Sequence, residues 1–178
     1  MHPAGTPPLE RYSRPAIFFH WAIVVLIALG YLAIEIRGPK GSESRAFWSS
    51  IHFTCGVLVL SLAVLRVIWR LWRGAPAEAS DVRVLTFMAR LVHLMLYVFI
   101  FLQPILGILT INTGGHPVVL AGLGWHIQVV GADQPAQHVI EKTHKFLGNL
   151  FYWIIGLHAL AAIGHQVVLK DGTLRRMI

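Results

Sequence analysis

Three histidines in one apolar stretch carry most of the chemistry in this 178-residue chain. Residues 141–170 read EKTHKFLGNLFYWIIGLHALAAIGHQVVLK, with His144, His158 and His165 spaced by fourteen and then seven positions. An α-helix turns ~100° per residue, so a fourteen-residue step returns to within ~40° of its starting direction and a seven-residue step to within ~20°. All three imidazoles therefore project from roughly one face. At ~1.5 Å rise per residue, His144 and His158 stand ~21 Å apart along the axis, one toward each side of a ~30 Å hydrocarbon slab. An imidazole at that depth is costly unless it has a partner.

The elements that must supply partners are legible as apolar runs. The chain is 56% hydrophobic and 13% charged, about half the charge of an ordinary soluble domain, and its mean hydropathy is +0.64. Runs at about 15–36, 47–69, 85–111 and 139–169 predict an all-α, integral membrane four-helix bundle, one domain over residues 1–178. Arg11 and Arg14 precede the first run in the manner of a signal peptide. That run is too long for one, however, and no small-x-small cleavage site follows before Glu35, so a retained first helix is expected. Pro104 and Gly107 predict a kink in the third helix. Gly and Pro mark loops at 37–45 and 74–80. Residues 112–137 are too broken to span and are expected to lie along the interface or to cap the bundle.

The net charge of +7 does not point to nucleic acid, because the basic residues flank the apolar runs and form no patch with exposed aromatics. They act instead as topology signals and anchors to membrane lipid. Of fifteen Lys and Arg, only Arg37, Lys40, Arg45, Lys142 and Lys145 fall on the side away from the termini, which places both termini in the cytoplasm. The single cysteine, Cys55, excludes an intrachain disulfide. The six tryptophans read mostly as an interface belt.

Depth then sorts the imidazoles. His52, early in the second helix, and His144, early in the fourth, share the outer half and pair. His20, His93 and His158 share the cytoplasmic half, where either His20 or His93 can face His158. Two pairs ~21 Å apart cannot make one four-coordinate zinc centre. Two flat cofactors, each with an iron held by two axial imidazoles, fit the pattern, and the cofactor of that kind is haem. Arg66 lies fourteen residues after His52, on the same face and at inner depth. Its guanidinium suits a haem propionate, with Arg70 as substitute; a charge snorkelling to the interface is the plainer alternative. Gly56, Gly148 and Gly156 allow close helix contact or leave room for a porphyrin edge. His165, two turns beyond His158, reads as an interface residue that snorkels to water or as one that passes a proton, since imidazole titrates near neutrality. His93 stands behind a site residue or is a buried hydrogen-bonder. His116, His126 and His138 read as solvated.

His20-Trp21, the segment HFTCG (52–56), VLRVIWRL after it, and GLH (156–158) followed by His165 together resemble the prokaryotic cytochrome b561 family. The similarity runs over nearly the whole chain, including EIRG after the first helix and the DGTLRRM tail. It implies a bacterial inner-membrane protein with two b-type haems, one held by His20 and His158 and the other by His52 and His144, and so favours His20 over His93. Within the family the chain is similar to members that take electrons from superoxide at the outer face and deliver them to ubiquinone. Catalysis would then fall to His165, which would bind the quinone carbonyl and supply a proton, with His93 as a further quinone-site residue; Arg37, Lys40, Arg45, Lys142 and Lys145 would attract the anion. Related cytochromes also serve as membrane anchors that pass electrons between a hydrogenase- or dehydrogenase-like subunit and quinone. A histidine-lined metal transporter is the third expectation.

Overall fold

The computed structural model describes residues 11–74, 76 and 82–178; most of the loop expected at 74–80 lies outside them. Among the described residues four helices are long and apolar enough to cross a membrane: α1 (Arg14–Ile36), α2 (Glu43–Arg73), α3 (Arg83–Thr113) and α4 (Gln134–Gly164). α4 runs on through a π-helical turn, His165–Leu169, and the chain closes in a 3-10 turn, Leu174–Met177. Contact between helices is most extensive for α1 with α2 and for α3 with α4, so the bundle is two hairpins joined through α2 and α3.

α2 and α4 begin before their apolar stretches because their N-termini are capped. Ser42 accepts a hydrogen bond from the Arg45 backbone N–H at 3.1 Å, which starts α2 four residues before the apolar run. Asp133 does the same for Ala136 at 3.0 Å, and Pro135 in the first turn suits α4 to begin there. At its far end α2 continues to Arg73 and closes on Gly74, whose φ of 75° only glycine adopts freely. Arg66 and Arg70 are thus helical residues, and Arg73 is the last residue of the helix. Pro104 is buried within α3 and does not terminate it.

The connection between α3 and α4 is a cap with its own structure. Two-residue strands, β1 (Val118–Val119) and β2 (His126–Ile127), pair antiparallel. Asn112, fully buried at the end of α3, holds this hairpin. Its amide donates to the carbonyls of His116 and Ile127 at 3.1 and 3.0 Å, and its oxygen accepts from Val129 N at 2.7 Å. The Ala121 N–H donates to Thr54 Oγ1 at 2.8 Å, which fastens the cap to α2 two residues from His52. His116, His126 and His138 are exposed, as expected for solvated side chains.

At the other end the start of α1 meets the C-terminal turn. Tyr12 N donates to the Arg176 carbonyl at 3.1 Å, and the Trp21 indole donates to the Met177 carbonyl at 2.7 Å. The Trp69 indole reaches Ser13 Oγ at 2.8 Å. The protein core is thin: Ile23, Val59, Ala63, Phe99, Ile100 and Phe151 form its one buried cluster, and Phe151 is the only buried residue of α4. A helix this apolar with so little of itself covered has its other faces turned to lipid or to a bound apolar group. Trp153, 77% exposed, sits near the middle of α4 and so departs from the interface belt.

Candidate functional site

The four helices bring the histidines together in two layers. In the outer layer, nearer the cap, the rings of His52 and His144 lie 6.3 Å apart between centroids. In the inner layer, nearer the termini, His20 and His158 lie 6.5 Å apart, and His93 approaches His158 to 5.5 Å. An imidazole nitrogen stands about 2 Å from a metal it ligates and about 1 Å from its own ring centre, so two rings sharing one metal have centres about 6 Å apart. Both cross-helix pairs match that spacing. Among the described residues no three His, Cys, Asp or Glu side chains converge as a metal-ion site would require, so the imidazoles stand as pairs.

α1 and α2 fix the first outer ring. Gly30 and Ala33 are buried where the two helices touch, and a side chain on Gly30 would lie against Cys55 and the His52 ring. The Gly30 carbonyl is thereby open to His52 Nδ1 at 2.9 Å. A carbonyl only accepts, so Nδ1 carries the proton and Nε2 keeps its lone pair, the tautomer an iron ligand needs. His144 comes from α4 and packs on Gly107 of α3, where an added methyl group would stand 3.4 Å from the ring. Its Nδ1 is buried and makes no hydrogen bond, and the amide of buried Gln103 donates to its backbone carbonyl at 3.0 Å. An orphaned buried imidazole nitrogen is expensive in a finished core. It fits a ring that becomes anchored only when a further group binds.

Nothing lies within 4 Å of a side chain built on Gly56 or Gly156, which flank His52 and His158. These two glycines face open space, which lipid or a bound apolar group would take up. Gly148 does not: Gln103 fills its surroundings at 3.1 Å, and its carbonyl accepts from the Tyr31 hydroxyl at 2.8 Å. The residues present therefore fit haem in both layers.

Arg66 faces the inner layer and is an electrostatic neighbour of His20, His93 and His158. It is already engaged, donating to the Ala16 carbonyl at 3.1 Å and to the Tyr97 hydroxyl at 3.3 Å, which leaves other guanidinium N–H groups for a carboxylate. Arg70 lies over the Tyr97 ring at 5.9 Å. The His93 ring is held by the Ala89 carbonyl of its own helix.

Charged side chains gather beyond the outer layer. Arg37 has Arg45, Glu35 and Glu141 as neighbours; burial first, and Arg45 next, hold its guanidinium below the ordinary range. Lys145 pairs with Glu141 at 2.5 Å, so part of the positive charge beside His144 is neutralised, while Lys142 is exposed. His165 stands at the opposite end, on the π-helical turn, where its Nδ1 meets Asp171 Oδ2 at 2.5 Å. Burial alone would raise the Asp171 carboxyl, but hydrogen bonds from His165 and from Thr173 outweigh it and hold the group below the usual carboxylate range.

Gly30, Gln103, Tyr97 and Asp171 were not among the residues singled out from sequence, and Gly107 stood out only for a kink beside Pro104. Gly30 is visible there only as a small residue in an apolar run, and Asp171 only as the first half of an Asp-Gly turn.

Membrane-length helices carrying imidazoles in facing pairs define a haem-binding helical bundle of a membrane electron-transfer class. A model of the prokaryotic cytochrome b561 family matches residues 11–178, and the chain belongs to that family. It is similar to the probable superoxide oxidase CybB of Yersinia pestis, 31% identical over 95% of this chain and 96% of that protein. It is 30% identical to cytochrome b561 homolog 1 of Escherichia coli K12 (96% and 98% covered) and 30% identical to homolog 2 of the same strain (95% and 92%). The protein is accordingly a bacterial multi-pass membrane protein of a b-type haem family that moves electrons across the membrane.

Proposed function

We propose that this chain is a superoxide:ubiquinone oxidoreductase with two haems, the outer held by His52 and His144 and the inner by His20 and His158. The observation that carries the reading is the pair of ring separations, 6.3 and 6.5 Å, each bridging two helices. His93, at 5.5 Å from His158, stands as the alternative partner in that layer, and the family resemblance favours His20. Membership of a b-type haem family and the similarity to a probable superoxide oxidase support the same reading.

Bound haem supplies one-electron transfer along the bundle. The protein's own residues do the rest. Gly30 holds the His52 tautomer, and Gln103 secures the backbone that carries His144. Arg66 offers its remaining N–H groups to the inner propionates. Basic residues at the outer end draw in superoxide, a small anion, and raise its encounter rate. Phe99 and Phe151 stack at 4.2 Å between the layers and keep water out of that stretch. With the termini in the cytoplasm, His165 meets quinone at the cytoplasmic end and donates a proton to its carbonyl oxygen. Over one cycle two superoxide ions become two dioxygen molecules, while quinone takes up two electrons and two protons to become quinol.

Purified protein mixed with superoxide and ubiquinone, and no other subunit, should show haem reduction followed by quinol formation. His165→Ala should keep both haem spectra and slow the second step. Inertness toward superoxide, with an iron–sulfur subunit co-purifying, would move the assignment to a membrane anchor.

A further inference from the structure

The end of α4 is built around a side chain that the proposed reaction has not yet used. After Gly164 the helix widens into the π-helical turn His165–Leu169, a distortion that recurs at functional sites. Lys170 then adopts φ 53°, the only positive φ of a non-glycine among the described residues, and Gly172 follows at φ 74°. This double reversal folds the chain back under the last helical turn. The Asp171 N–H donates to the His165 carbonyl at 3.3 Å, and its carboxylate comes beneath the imidazole. Oδ2 lies 2.5 Å from His165 Nδ1, while Oδ1 accepts from Thr173 N at 3.0 Å. Downstream, the carbonyls of Arg176 and Met177 are strapped to Tyr12 and to Trp21, the neighbour of His20. The carboxylate is therefore held on both sides, and the segment bearing it is tied to the inner histidine layer.

We propose that Asp171 is the positioning residue of the quinone site: its carboxylate fixes the His165 ring with Nδ1–H toward Asp171 and Nε2 toward the quinone oxygen, and stabilises the imidazolium that serves as proton donor. The proposal rests on the assignment of quinone reduction to His165. A carboxylate accepting from Nδ1–H selects the tautomer and lowers the cost of charge on the ring, as in other carboxylate–imidazole pairs. When the quinone oxygen gains electrons originating from superoxide, the Nε2–H bond breaks and a new O–H bond forms. The ring is left neutral with its remaining proton on Nδ1, and Asp171 stays ionised throughout. The second proton of the turnover follows the same path after Nε2 is reloaded from water. Both side chains keep that access, with 28% and 26% of their surfaces exposed.

The test uses the full-length haem-loaded protein. Asp171→Asn, which keeps the shape and removes the charge, should leave haem content, both haem spectra and the rate of reduction by superoxide unchanged. It should lower kcat for ubiquinone reduction by about tenfold or more with little change in KM, because a general acid contributes about 10²–10⁴ and loses much of that when misoriented. Asp171→Glu should restore part of the loss. Combining Asp171→Asn with His165→Ala should be no slower than His165→Ala alone, as two residues acting as one unit require. If His165→Ala slows quinone reduction and Asp171→Asn does not, or if their effects multiply, the positioning role is overturned while the quinone site stands. If neither substitution slows it, the His165 assignment falls and the inference falls with it.

Discussion

The two histidine layers are unlike, and under the proposed function the difference separates electron entry from proton chemistry within one bundle. The outer layer holds two imidazoles and no spare. One is fixed through Nδ1 by the Gly30 carbonyl, and the other is buried with Nδ1 unpaired. No titratable side chain hydrogen-bonds to either ring among the described residues. The inner layer holds three imidazoles, with Arg66 as a neighbour of all of them, and connects through Trp21 to the folded-back tail that carries the His165–Asp171 pair. A site whose imidazoles have no carboxylate partner suits a reaction that moves charge without protons. A site backed by an imidazole–carboxylate pair open to water suits one that must also deliver protons.

The largest effect expected from this contrast is loss of a cofactor. His52→Ala and His144→Ala should each abolish the same haem completely, because no other imidazole stands in that layer. His158→Ala should abolish the other. His20→Ala should leave a residual inner haem with an altered spectrum, since His93 is near enough to His158 to substitute, and His20→Ala with His93→Ala should remove it. Redox-difference spectra of these five variants and of His93→Ala alone check this. Loss of one identical haem in all the single variants would break the two-layer assignment, and loss of the inner haem in His93→Ala alone would exchange the roles of His20 and His93.

A smaller effect sharpens the same comparison by filling the slots. Gly56→Leu should lower occupancy of the outer haem several-fold and spare the inner, and Gly156→Leu should do the reverse, because a side chain at either position enters open space. Haem retained on purification, resolved by redox titration, gives the answer. Equal loss at both layers from either change would mean that the open space is not where the macrocycles sit.

The smallest effect concerns the outer charges. Reduction by superoxide should slow as salt rises, because ions screen an attractive field over ~8 Å at physiological ionic strength. Lys142→Glu should slow it further, by several-fold, with intact spectra. Lys145→Glu should do less than Lys142→Glu, since Lys145 is already paired with Glu141. Stopped-flow traces in a salt series measure all of these, and indifference to salt and to both substitutions would leave these charges as lipid anchors.

Much of this arrangement was legible in the chain alone, for a physical reason. In lipid the backbone must satisfy itself, so apolar runs become helices, and helical periodicity then fixes both depth and facing for each histidine. His52 and His144 could be paired on that basis, and the structure brings them together. The inner pairing could not be separated by depth, since His20 and His93 start their helices at the same level. The remainder depended on contacts that no period encodes. The cap rests on Asn112 reaching carbonyls four and fifteen residues away, in strands too short to leave an alternating pattern. The His165–Asp171 contact requires a π-helical turn and a left-handed lysine, both of which break the regularity that makes a helix readable. Arg66 was expected at the inner layer and lies there, but its bonds to Ala16 and Tyr97 come from two other helices and could not be read from its own.

The most direct test of the central claim is a count of haem iron per chain in the purified, detergent-solubilised protein, taken together with its low-temperature electron paramagnetic resonance spectrum. Two b-type haems per chain, both low-spin with bis-imidazole signatures, are predicted. One haem per chain, or a high-spin signal from either layer, would contradict the account.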